Sequence, residues 1–207
     1  MNVTLGVPRL KEIINATKKI STPIITAKLE RDDNIVAARI VKAGIEKTSL
    51  GQVSLYMKEV YSASKCYISI ELDLSAIEQL KLNVDALSVR EAIFCGTPGI
   101  TRPAVLRALN SEDVKLRKGS KSKLRVHVPT GKSGKDGKIP SYFAIQMLKT
   151  ALSDVIVQGI PSVNRAVINE QESGGKPSYS LLMEGYGLQE VMGCPGIDGL
   201  KTSTNHV

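Results

Sequence analysis

Few side chains in this 207-residue chain stand in spacings that chemistry requires. Thr130-Gly131-Lys132-Ser133 resembles the end of a phosphate-cradling glycine loop. The full motif places a glycine five residues before its last one, where Val126 stands, and it must open a helix directly after a strand. Here more Gly and Lys follow, so the segment is rejected as a nucleotide-binding loop. His127 falls within an alternating strand pattern and His206 near the terminus. Neither has a second His or a Cys at ligand spacing. Cys66, Cys95 and Cys194 are odd in number and far apart, with no C-x-x-C pair, which favours neither zinc nor a disulfide framework. The acidic pairs Asp32-Asp33 and Glu112-Asp113 fit helix caps and turns. Two-metal nucleotidyl transfer needs several carboxylates converging on the ions, and the sequence has no such cluster of aspartates.

Charge is the more informative property. The net charge is +8, which points to an anionic partner such as nucleic acid. Between Lys115 and Lys138 lie nine basic residues and one acid, Asp136, so this segment alone carries an excess equal to that of the whole chain. Part of it, Thr130 to Lys138, reads as a Gly/Ser/Lys loop. A solvated loop without a fixed ligand and a phosphate-binding patch both fit this composition. With 4% aromatic residues and no Trp, base stacking on exposed rings starts at a disadvantage. No apolar run reaches membrane-spanning length and no signal-peptide pattern opens the chain. A soluble, intracellular protein is expected.

The elements that would position these residues are α+β: helices mixed with a mainly antiparallel sheet. Pro8 suits the first turn of a helix, where its missing N–H has no partner to lose. Leu10, Ile13, Ile14, Thr17 and Ile20 recur at helical spacing and predict one buried face. Lys11, Asn15, Lys18 and Lys19 form a polar, cationic stripe on the other side, facing either phosphates or water. Ile24 to Leu29 reads as a strand. A second helix is expected after a cap at Asp32-Asp33, with Val36, Ala37, Ile40, Val41 and Ile45 on its apolar side.

Beyond Gly51 the period becomes two. Val53, Leu55 and Met57, then Cys66 through Leu74, predict an antiparallel strand pair. Short helices are expected over 75–82 and 88–94, and a turn at Gly96–Gly99. Leu124, Val126 and Val128 predict a strand, with Val114 and Leu116 as partner across Gly119-Ser120. Phe143, Met147, Leu148 and Ala151 predict a helix over 142–152. Residues 163–168 and 179–184 flank a hairpin turn, and 188–192 form a last helical turn. Three segments result: 1–52, 53–155 with its Lys-rich loop 115–138, and 156–207.

Several ordered blocks carry a resemblance. Gly6-Val7-Pro8-Arg9-Leu10-Lys11-Glu12-Ile13-Ile14-Asn15-Ala16 resembles the stretch just after the trigger loop in the largest subunits of eukaryotic and archaeal RNA polymerases. Met1–Leu5 and Ser21–Ile25 resemble the polymerase III version in particular. Ala37-Arg39 through Ile45–Gly51, Val157–Pro161 with Arg165–Ile168, and Leu182–Gly185 with Leu188, Val191-Met192 and Thr202–Asn205 agree, in the family's order. Residues 56–143 match only loosely, where the family has its jaw.

The resemblance implies a fragment of a multidomain DNA-directed RNA polymerase subunit of the polymerase III class, acting in the nucleus. It implies that Gly6, Val7, Pro8 and Arg9 form the C-terminal hinge of the trigger loop. Gly6 permits unusual backbone angles, and Pro8 fixes the start of a stiff helix. Arg9, Lys11, Lys18 and Lys19 become candidates for contacts to downstream DNA. Implied partners are the second-largest subunit and small jaw-associated subunits. The family's magnesium-binding aspartates are absent from the sequence, so no cofactor is expected on this chain, Mg2+ belongs to the parent polymerase, and the isolated chain should be inactive. A free-standing basic nucleic-acid-binding module and a subunit-docking scaffold without catalysis are the alternatives.

Overall fold

A computed structural model describes residues 3–61, 66–117, 119–128, 141–173 and 176–206. The remainder of the Lys-rich segment, including Lys118 and the 130–133 glycine-lysine motif, lies outside the described residues. The first half contains α1 (Val7–Ile14), β1 (Ile24–Leu29), α2 (Ile35–Ile45), β2 (Thr48–Ser49), α3 (Leu50–Val53), β3 (Ser54–Tyr61), β4 (Cys66–Leu72), α4 (Leu74–Gln79) and α5 (Ala86–Cys95). It is followed by α6 (Ala104–Arg107), β5 (Val114–Leu116), β6 (Lys123–His127), α7 (Ser141–Ser153), β7 (Ile156–Gln158), β8 (Val163–Ser173), β9 (Lys176–Gly185), α8 (Leu188–Met192) and β10 (Ile197–Thr204). Helices and antiparallel sheets together make the expected α+β class.

The chain forms two compact units. Residues 1–47, 80–82 and 158–207 make the first, and residues 48–79 and 83–157 the second. In the first, four antiparallel strands lie in the order β10-β1-β9-β8. Strand β1 is central because its alternation puts Ile25, Ala27 and Leu29 inward. These pack with Leu181 and Met183 of β9, Ala38 and Ile45 of α2 and Val191 of α8 in one core. Burying such side chains contributes about 25 cal/mol per Å² of apolar surface removed from water.

The second unit has the antiparallel order β3-β4-β6-β5, with β2 and β7 pairing separately. Ile68, Ile70, Leu124 and Val126 point to one face and are fully buried. Helix α7 packs on β4, and α5 packs on β5.

Several expectations need correction. Helix α1 ends at Ile14 and does not reach Lys19. The N–H and hydroxyl of Thr17 both bond the Glu12 carbonyl, at 3.1 and 3.2 Å, and Ala16 turns to φ +44, which closes the helix one turn early. No residue of α1 is buried: Leu10, Ile13 and Ile14 are 57, 50 and 79% exposed. The amphipathic pattern is real, but its apolar face has no cover among the described residues. Ile20, expected on that face, is buried beyond the helix end.

Helix α2 is capped by Asn34, whose Oδ1 accepts from the Val36 N–H at 2.8 Å, and not by Asp32 or Asp33. Asp32 instead accepts from the Ser178 hydroxyl and, through its carbonyl, from the Tyr179 N–H. Its proximity to β9 satisfies a strand rather than a helix end. The buried faces also rotate. In α2, Ala38, Ala43 and Ile45 are buried while Val36 and Ile40 are exposed. In α7, Ile145, Leu148 and Leu152 are buried, whereas Phe143 and Met147 are exposed. Val53 lies in α3 and Leu74 in α4, so neither extends a strand.

Candidate functional site

Residues 6–9, expected to form a hinge, sit where an extended lead-in becomes α1. Gly6 is the N-cap, with φ +71 and ψ −146, a region that only glycine occupies without strain. A Cβ there would meet no atom within 4 Å, so the requirement comes from the backbone and not from space. The Gly6 carbonyl accepts from the Leu10 N–H at 3.1 Å, opening the helix. Pro8 occupies the first turn, where a missing donor costs nothing.

Behind this entry is a polar clamp. The Arg9 guanidinium donates to Glu12 Oε2 at 3.0 Å and to the Asn205 carbonyl oxygen. Glu12 Oε1 accepts from both the N–H and the hydroxyl of Ser21, at 2.9 and 2.8 Å. These donors, the Ser21 pair above all and then Arg9, hold the Glu12 carboxyl below the usual carboxylate range. The Asn205 side chain closes the other side: Oδ1 accepts from the Ile24 N–H at 2.8 Å and Nδ2 donates to the Thr22 carbonyl at 2.9 Å. His206 places Nε2 3.0 Å from the Lys18 carbonyl, with its ring edge-to-face on Tyr186. The Thr4 N–H donates to the Thr22 hydroxyl at 2.9 Å, holding the lead-in.

The helix base is therefore fastened to β1 and to the end of β10, while its apolar side stays open. Gly6 lies between the Thr4 contact and the clamped turn.

The expected DNA-contacting cations divide into two kinds. The Arg9 side chain is 17% exposed and engaged by Glu12 and Asn205. Lys11, Lys18 and Lys19 are exposed and have no ion pair among the described residues. Sequence reasoning took Glu12 and Asn205 only as members of blocks. It missed their anchoring role, because the Asn205–Ile24 bond joins residues 181 positions apart and leaves no local pattern. The one usable signal was the position of both residues inside blocks that carry the resemblance.

Elsewhere the chemistry is structural. His127 lies in β6 with its ring 5.3 Å from that of Tyr67. None of the three cysteines forms a disulfide among the described residues, and burial raises the Cys194 thiol pKa. Asp113 accepts from the Asn110 N–H at 2.9 Å, as a turn carboxylate. Among the described residues no three His, Cys, Asp or Glu side chains converge as metal ligands, and no helix is long and apolar enough to cross a membrane.

Comparison with known proteins gives this geometry its setting. The family model for RNA polymerase Rpb1, domain 5, matches residues 1–207. The DNA-directed RNA polymerase III subunit RPC1 of Homo sapiens is 44% identical over 209 residues, covering 100% of this chain and 14% of that protein. The subunit of the same name from Debaryomyces hansenii is 43% identical over 217 residues, with the same coverage of each chain. In Trypanosoma brucei brucei the identity is 32%, still over the whole chain and 13% of the relative. This chain thus spans about one seventh of the length of the curated relatives it matches, 14%. A family match from end to end, with sequence relatives of one name across distant eukaryotes, shows that the chain belongs to the RNA polymerase Rpb1 domain 5 family and is homologous to the largest subunit of RNA polymerase III.

Proposed function

We propose that this chain works as part of the largest subunit of a nuclear DNA-directed RNA polymerase III, where residues 6–9 form the fixed end of the trigger-loop hinge and residues 53–155 a jaw beside downstream DNA. The observation that carries the reading is the join at Gly6: a glycine-only conformation, then a proline-started helix whose base is held by Arg9, Glu12 and Asn205. A lid that closes over a substrate needs one compliant point and one stiff support. Closure of such lids completes the site and excludes water, and it commonly sets turnover. Gly6 supplies the compliance, and the clamped turn supplies the support. The hinge alters rate without touching nucleotide.

Magnesium in this reading is held by other parts of the parent polymerase. The isolated chain is inactive in nucleotidyl transfer. The second-largest subunit and small jaw-associated subunits are its protein partners. Lys11, Lys18 and Lys19, with Arg9 behind them, lie toward DNA.

The test is Pro8→Gly in the complete polymerase. A change in elongation rate or fidelity, with subunit assembly intact, is expected. An unchanged elongation rate overturns the hinge. Lys11→Ala with Lys18→Ala should flatten the salt dependence of DNA retention, since each lost phosphate contact removes about 0.9 from the slope. An identical slope removes both as phosphate contacts.

A further inference from the structure

The outer face of the second unit's sheet carries an unassigned array of cations. In this antiparallel sheet, β6 turns Leu124 and Val126 into the core and Lys123, Arg125 and His127 outward. The same alternation turns Tyr67, Ser69 and Glu71 of β4 outward. Register then builds rows across the strands. Lys115 faces Arg125, Arg125 faces Ser69, and Ser69 faces Lys58, so one row of three cations and a serine crosses all four strands. In the next row the Arg117 N–H bonds the Lys123 carbonyl, Lys123 faces Glu71, and Glu71 faces Tyr56.

Only one acid sits in these two rows, and it is already used: Glu71 takes Lys123 Nζ at 2.9 Å. Lys58, Lys115, Arg117 and Arg125 are exposed and make no ion pair among the described residues. Cations this close repel one another, and sheet faces normally intersperse the two signs. Glu71 acts on Arg117 as well as Lys123, yet a single carboxylate among five cations in these rows leaves an excess of positive charge that is complementary to a polyanion.

The geometry points to this face as a track for the sugar-phosphate backbone of duplex DNA, bound without regard to sequence, through Lys58, Lys115, Arg117 and Arg125. Strands are about 4.8 Å apart, so the Lys115-to-Lys58 row is roughly 14 Å long. That equals about four axial phosphate steps of one strand at 3.4 Å each. The rings nearby argue against single strands, which are held largely by base stacking. Arg125 lies over the Tyr67 ring at 5.4 Å, and His127 flanks it, so Tyr67 already has ring partners. A hydrogen bond between Tyr56 and Glu71 raises the phenol's pKa and ties that ring down as well. The array is distinct from Lys11, Lys18 and Lys19. From the proposed function it takes only the availability of DNA.

The experiment measures retention of a labelled mixed-sequence duplex by the complete polymerase from roughly 50 to 200 mM salt. Lys58→Gln, Lys115→Gln, Arg117→Gln and Arg125→Gln combined should reduce the salt slope by about 3 to 4, while Lys/Arg exchanges at the same positions preserve it. The Pro8→Gly elongation assay reads the hinge separately, so either can fail while the other stands. If the combined variant disrupts the subunit, Lys115→Gln alone should still remove about 0.9 of the slope, because its side chain is exposed. An unchanged slope overturns the assignment. So does loss of an acidic polymerase subunit on purification with the slope unchanged, which would make the face a protein interface. A larger loss for single-stranded than for duplex DNA would also overturn it.

Discussion

Removing the Asn205 side chain tests the clamp beneath α1 most directly. Asn205→Ala deletes the acceptor of the Ile24 N–H and the donor to the Thr22 carbonyl, bonds of 2.8 and 2.9 Å. Each hydrogen bond contributes about 1 kcal/mol net, and a group left unsatisfied in a buried place costs about 1–3 kcal/mol. Asn205 is half-buried, so water reaches part of the gap and the lower end applies. The expected loss is about 2 kcal/mol in local stability, from two such bonds. Amide exchange suits the measurement because it resolves opening residue by residue. Exchange at Ile24 and Leu10 should quicken by roughly 30-fold at 1.4 kcal/mol per decade, while amides of β4 and β6 keep their protection. Asn205→Asp keeps an acceptor for Ile24 but sets a carboxylate against the Thr22 carbonyl, so it should recover no more than about half of the 2 kcal/mol. If both variants stay within about 0.5 kcal/mol of the parent, the level of an ordinary surface substitution, the Asn205 side chain does not anchor the segment to which α1 is fastened.

Gly185→Ala forces a side chain onto φ +146 and drives its Cβ into the Ser162 carbonyl; a thermal melt should show a loss of about 3 kcal/mol or more. Gly6→Ala has open space and pays only for its backbone angles, about 1–3 kcal/mol by the same measurement. Leu148→Ala empties a fully buried position and should cost about 2–5 kcal/mol in denaturant unfolding, whereas Met147→Ala, half exposed, should stay within about 0.5. Glu12 has a folded-state pKa below its unfolded value, so its contribution is complete above the ordinary carboxylate range and disappears as pH falls through it. The difference between the parent and Glu12→Gln in α1 amide protection should therefore be largest near neutrality and shrink in acid. A difference that grows on acidification refutes the sign.

Local rules made much of the fold legible. Ile24 to Leu29 alternates, and β1 has those bounds; residues 188–192 form α8 as expected. Pairings between strands adjacent in sequence were also readable, because β5 and β6 join across Gly119-Ser120 and β8 pairs with β9, the strand that follows it. Strand β10 escaped notice. Its Leu200 is 97% exposed, and its pairing with β1 joins the two ends of the chain, where no periodicity records it.

By itself the sequence determined the period of each element, the proline-started helix after a flexible glycine, the excess of positive charge and the family to which the blocks belong. These arise from neighbours within a turn or a strand pair. Tertiary structure decided which faces are covered, that Asn34 rather than Asp32 caps α2, and that Asn205 fastens the base of α1. It also decided that Lys58, Lys115 and Arg125 of three strands, with Arg117 just past β5, stand in two rows. Such outcomes depend on distant segments meeting, and burial and hydrogen bonding are settled only where they meet.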